Sequence, residues 1–439
     1  MREYDDESAR SLLGMLADDV PPPSRVDIGA LVRTGRRRAR RRRLAGVAAT
    51  VLVTVGAVAV VPVVVDVANR SGQERPVVTG GAAQPEEPPL QPAVCTPHQL
   101  PLPGPAVSSE VLGGDPSGRY LVGMATDKLG QSYVVRWDRG QLTTLKVPIY
   151  QPAHLVVNAR GDVAGDGYLR ETKRTTAWVY RDDQFTQLPT GGGVPVAVVG
   201  INERGDVLGT IQGGTVAPSP HPSDIPAGKF ARTYGTRPVI WPASSVDDVR
   251  ALANPPGASI VSVVGIDDDG TAVGTSTAKP VTIFGNQSAD LLNVGARGLV
   301  WAPDGTVREL AAPPGYGPEV AIQSIRNGWV IGSYRSPSDG TVTARWNLRT
   351  GDVRPLSLKF VTSVNRYGWV GGYVIDASGG FAQALATDER TLVLPLAEGF
   401  DRSRPTAIKV LISDNGQQIG SVLEHGGRGT PAAFRWSCV

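Results

Sequence analysis

The chain has 439 residues, with 44 Lys and Arg against 41 Asp and Glu, a formal net charge of +3. That near-balance excludes a nucleic-acid binder working through overall charge, and the length is too great for one ordinary core. The 53 glycines, 36 prolines and only two cysteines point to a turn-rich all-β body rather than a disulfide-dense mini-domain.

Residues 1–43 read as a cytoplasmic tail. Ala9, Leu12, Leu13 and Leu16 sit at helical spacing behind Asp5, Asp6 and Glu7, and Pro21, Pro22 and Pro23 end the pattern. This is too little to bury a core. Arg36, Arg37, Arg38, Arg40, Arg41, Arg42 and Arg43 then precede an uncharged run, Leu44 to Val65 (LAGVAATVLVTVGAVAVVPVVV). At about 1.5 Å per helical residue the run reaches ~33 Å, enough to cross a hydrocarbon core of ~30 Å. The next basic residue is Arg70. The asymmetry predicts a single-pass helix over 44–65, with the N-terminus cytoplasmic and the C-terminal domain extracytoplasmic. The arginines are assigned to anionic lipid headgroups rather than to nucleic acid. Residues 66–94, rich in proline and glycine, read as a linker.

The layout of a short acidic helix, PPPSRVD, an arginine block and one span resembles the start of bacterial membrane proteins that include anti-sigma-factor-like regulators. The resemblance implies a cytosolic sigma factor as a partner for residues 5–33. The H-x3-C-x2-C zinc motif is absent from this stretch.

Beyond the linker one phrase recurs: VNARGDVAG (157–165), INERGDVLG (201–209), IDDDGTAVG (266–274), VNRYGWVGG (364–372) and ISDNGQQIG (412–420). GDPSGRYLVG (114–123) and SIRNGWVIG (324–332) are looser copies. Asn or Asp bonds its own backbone two residues on and Gly accepts a positive φ, so each copy predicts a tight turn between two strands. A second phrase follows most copies: a strand ending near Trp, a polar turn, and a strand ending in Leu, as in VVRWDRGQLTTL (134–145) and LVWAPDGTVREL (299–310). Seven repeats of four strands predict a seven-bladed β-propeller over 95–439. Trp137, Trp178, Trp241, Trp301, Trp346 and Trp436 are assigned to packing between blades.

The last repeat stops at its third strand, AAFRWSCV, while CTPHQLPLP (95–103) looks like an orphan fourth strand. The first strand is therefore expected to complete the last blade, with a Cys95–Cys438 disulfide at the junction. The phrase [IV]-N-x-x-G-x-[V]-x-G also resembles the HAF-type extracellular repeat of bacterial surface proteins, which implies a propeller-like fold and an outside location, with no defined activity.

Chemistry is harder to find. His98, His154, His221 and His425 are scattered, and no G-x-S-x-G, P-loop or H-E-x-x-H motif occurs. Asp267, Asp268 and Asp269 lack the later acid of a calcium loop and read as a solvated turn. The expectation is no cofactor, no metal and no enzyme. Two insertions, 210–237 and 275–298, interrupt neighbouring repeats at the same loop. Phe230, Arg232, Tyr234, Arg237, Phe284 and Asn286 are the candidate contact surface for a protein or cell-wall glycan. The alternatives are the transmembrane regulator and, third, a propeller enzyme acting on polysaccharide, which convergent acids in the central funnel would favour.

Overall fold

The computed structural model describes residues 89–190, 194–212, 236–256, 258, 260–277, 295–338, 340–375, 380–398, 400–401, 409–425 and 430–439. They form seven antiparallel sheets of four or five strands, with no helix among the described residues. Each sheet is one blade of a seven-bladed β-propeller. Blades 1 to 6 span 106–144, 149–188, 194–251, 260–310, 320–355 and 360–393. Blade 7 takes its inner strands from 400–438 and its outermost from Cys95–Gln99. The expected span at 44–65 and the arginine block before it lie outside the described residues. No helix among the described residues is long and apolar enough to cross a membrane.

Two glycines in each phrase do different work. The middle one closes the turn: Gly205 and Gly270 have φ of 89° and 94°, which a side chain would strain. The final one admits the neighbouring strand. A Cβ on Gly123 would lie 1.8 Å from the Glu110 carbonyl oxygen, and one on Gly372 2.1 Å from that of Phe360. The innermost strand presses that closely because it is bulged. In five blades an extra residue interrupts the register, between Val111 and Gly113, Val198 and Gly200, Val263 and Gly265, Ile322 and Ser324, and Val361 and Ser363.

The apolar cores lie between blades. One joins Ala177, Val179 and Leu188 of blade 2 to Val207, Val239 and Trp241 of blade 3. The tryptophans also bond across the gap. Trp137, Trp241, Trp301, Trp346 and Trp436 donate Nε1–H to the carbonyls of Pro101, Pro189, Ala253, Ala311 and Pro395, each just past the outermost strand of the preceding blade. Trp178 departs from this pattern. Trp241 pairs with Val207, two residues before Gly209, but Trp178 pairs with Gly165 itself, and Tyr180 occupies the equivalent place. The Trp178 indole N–H is buried, with no acceptor among the described residues.

The ring closes as the orphan strand predicted. Cys95–Gln99 pairs antiparallel with Pro431–Cys438, placing Cys95 opposite Cys438, and the two are disulfide-bonded. The end of the expected linker belongs to the same body. Val439 N–H donates to the Val94 carbonyl at 2.9 Å, and Arg390 Nη2 reaches the carbonyls of Gln91 and Pro92.

Candidate functional site: the central channel

The repeated turns between first and second strands gather at one end of the channel, where they are stitched blade to blade. Asn158 Nδ2 donates to the Asn202 carbonyl at 3.1 Å, and Asn365 Nδ2 to that of Asp414 at 2.9 Å. Asp267 accepts from Asn327 N–H and Gly328 N–H at 2.8 and 2.7 Å, Asn327 Nδ2 reaches the Arg366 carbonyl, and Asp414 N–H reaches that of Pro116. The Asn or Asp therefore shapes its own turn and also holds the next blade. Blade 5 solves its turn differently: Asn327 and Gly328 both take positive φ, 50° and 75°, a two-residue hairpin.

One position further along, carboxylates point at the preceding turn. Glu203 accepts from Ala159 N–H, Asp268 from Glu203 N–H and Asp414 from Arg366 N–H. Arg326 crosses from blade 5 to bridge two of them, with Nη1 2.5 Å from Asp268 and Nη2 2.7 Å from Asp414. Blade 6 lies between blades 5 and 7, so this arginine spans a chord of the ring. Burial opposes its charge, but the Asp414 and Asp268 carboxylates hold its pKa above the ordinary arginine value. Glu203 is pushed up by burial, with Asp268 and Asp115 adding repulsion. Asp115 is pushed up by burial too, against hydrogen bonds from Ser117 and Tyr120. The expected solvated turn at Asp267–Asp269 is thus corrected. Asp267 is buried and bonded to blade 5, Asp268 is ion-paired, and only Asp269 is exposed. No group of acids, histidines or cysteines among the described residues has the geometry of a metal site.

Above this end the channel encloses about 240 Å³ and touches all seven blades. The bulged residues Leu112, Val199, Val264, Gln323 and Thr362 all line it, because the bulge turns one extra side chain out of each sheet edge. Blade 2 adds Val156 and blade 7 adds Lys409. At the level of the bulges the lining side chains of blades 1 to 4 are aliphatic, and those of blades 5 to 7 are Gln323, Thr362 and Lys409.

The opposite face has another character. Second and third strands join there, and both long insertions fall at that join, in adjacent blades 3 and 4. Leu129, Tyr316, Phe360 and Ile375, all exposed, stand at this end of their blades. Of the candidate contact residues, Arg237 is exposed on strand Thr236–Trp241. Phe230, Arg232, Tyr234, Phe284 and Asn286 lie outside the described residues, as do the headgroup arginines.

No family model and no curated protein matches the chain. Solved structures do. A streptogramin B lyase matches with TM-score 0.46 at 12% identity, over 79% of this chain and 98% of that one. A puromycin-hydrolyzing peptidase of Mycobacterium tuberculosis matches with TM-score 0.48 at 14% identity, over 75% of this chain and 50% of that one. The β-propeller domain of the trilobed protease from Pyrococcus furiosus matches with TM-score 0.42 at 14% identity, over 69% and 86%. At such identities the likeness shows the propeller fold alone. The expectation that the chain is not an enzyme is corrected: the solved structures it matches include those of peptidases and a lyase.

Proposed function

We propose that the chain is a membrane-anchored, extracytoplasmic β-propeller that binds a protein or a cell-wall glycan on the face opposite the N-x-x-G turns. The observation that carries this reading is the difference between the two faces. One is consumed by blade-to-blade hydrogen bonds and the Arg326 bridge. The other carries both insertions and exposed Leu129, Tyr316, Phe360 and Ile375. Loops on a rigid scaffold are where binding concentrates. The disulfide suits an oxidising compartment. The arginine block and the apolar run supply the anchor and its orientation. The likeness of the repeats to HAF-type sequences agrees with an outside location.

Crosslinking capture from intact cells tests it, comparing the full-length chain with a variant whose residues 213–235 and 278–294 are replaced by short Gly-Ser turns. The reading expects an extracytoplasmic partner, or co-sedimentation with insoluble cell wall, that the variant loses. Undiminished capture by the variant overturns it. A cytosolic partner lost on deleting residues 2–33 replaces it with the sigma-factor regulator.

A second reading has an observation of its own. Asp115, Glu203, Asp268 and Asp414 converge at the turn end of the channel, and burial raises two of them, as a general acid needs. This reading is hydrolysis of a polysaccharide. It requires turnover of wall polysaccharide by the wild type that Glu203→Gln and Asp115→Asn abolish.

A further inference from the structure

The channel holds a charge that no counter-charge among the described residues meets. Lys409 sits on the approach to the short inner strand of blade 7, and its Nζ donates to the Leu112 carbonyl of blade 1 at 2.8 Å. No carboxylate among the described residues pairs with it: Asp268 and Asp414 are engaged by Arg326. The ammonium is reachable by water yet surrounded by protein, as a side chain inside a channel is, and burial lowers its pKa. One hydrogen bond leaves two of its donors unused.

Its position is fixed from both sides. The Lys409 carbonyl accepts from Ser421 Oγ at 2.6 Å. The next residue, Val410, donates to Thr362 Oγ1 at 3.0 Å and accepts from it at 2.9 Å. The amine is therefore held at the level of the bulged residues. On blade 5, separated from Lys409 by blade 6, Gln323 also lines the channel and is exposed, and its amide has no protein partner among the described residues. Facing both is the apolar wall of Leu112, Val156, Val199 and Val264.

We propose that the channel binds a small organic monocarboxylate, its carboxylate on Lys409 Nζ with Gln323 beside it and its apolar body against Leu112, Val156, Val199 and Val264. Lys409 with one neutral amide matches one negative charge, the other cations of the lining being engaged already: Arg326 by Asp268 and Asp414, Arg435 by the Gln418 amide oxygen. A phosphate dianion would leave charge uncompensated, and a polar sugar would leave the four-blade wall unused. The site is separate from the insertion face, so its fate and that of the surface reading are independent.

Titration calorimetry of the purified full-length chain with hexanoate and hexanamide tests the proposal. Hexanoate binds, hexanamide binds at least about tenfold more weakly, and Lys409→Gln removes that preference. Lys128→Gln, on an exposed loop, changes nothing. Should Lys409→Gln fail to fold, acetylation of the wild type read by mass spectrometry serves instead. Hexanoate protects Lys409 from acetic anhydride, hexanamide does not, and Lys128 labels equally in both. Hexanoate that neither binds nor protects at about 10 mM overturns the proposal, as does equal binding of acid and amide or full binding by a folded Lys409→Gln.

Discussion

The two ends of the propeller are built from the same seven sheets but spend their polar groups in opposite ways. At the turn end nearly every Asn and Asp of the repeated phrase satisfies backbone groups of its own blade and the next, so the end is a closed belt. At the insertion end the joining contacts are of another kind: Gly295 N–H and Arg297 of blade 4 reach Glu319 and the Pro318 carbonyl at the entry to blade 5. Once the turns fix the angle between neighbouring blades, the other rim can take long loops at little cost.

The contrast predicts a ladder of effects. The largest belongs to the closure on the turn side. Cys438→Ser, or reduction of the wild type, lowers unfolding free energy by up to about 5–6 kcal/mol on the chain-entropy account, read from denaturant midpoints with and without reductant. Equal midpoints would mean that strand pairing alone closes the ring. Next, Asn365→Ala strips acceptors from Tyr367 and Trp369 N–H groups and a donor from blade 7, costing about 2–3 kcal/mol in the same assay. Arg326→Met costs about 1–3 kcal/mol, discounted because Asp268 is partly exposed. Asp414→Asn in the same chain should return part of that loss.

Glu203→Gln works in the opposite direction. The native carboxyl keeps its proton to higher pH than the unfolded one, whose ordinary value is 4.5. In that window the native state binds more protons, so stability falls as pH rises through it. At pH 7 the variant is therefore slightly more stable than the wild type, and the margin closes as pH falls toward 4.5. A margin that does not change with pH would place the effect elsewhere. Smallest of all, Leu129→Ser on the insertion face, where the side chain is 92% exposed, changes stability by less than about 0.5 kcal/mol. It nevertheless reduces partner capture if that face is the binding surface.

Much of the fold was legible because a propeller repeats. The spacing of the phrases gave the blades, and the surplus strand at one end with the shortfall at the other gave the closure and the Cys95–Cys438 pair. What stayed hidden depends on neighbours in space. Arg326 meets Asp268 and Asp414 only because of which blade stands beside which, across 58 and 88 residues of chain. The channel lining hangs on a one-residue bulge that leaves no periodic trace. Trp178 packs between blades 1 and 2 as assigned, but its phrase ends in Trp-Val-Tyr, and only the register shows that Tyr180 takes the shared place. Lys409 carried no motif at all. A charged residue just before the apolar Val410–Ile412 run, where five of the other copies carry Val or Ile and blade 2 carries His154, was the one available signal.

The strand that closes the ring also sets an order in time. Residues 95–99 are the first of the propeller to leave the ribosome, and their partners at 431–438 are among the last. For the whole interval of synthesis the opening strand has no sheet to join, and blade 7 exists only when both are present. A nascent chain thus carries an unpaired edge until translation reaches the closing cysteine. A chain that stops short of that point remains an open arc, marked for quality control by the edge it exposes.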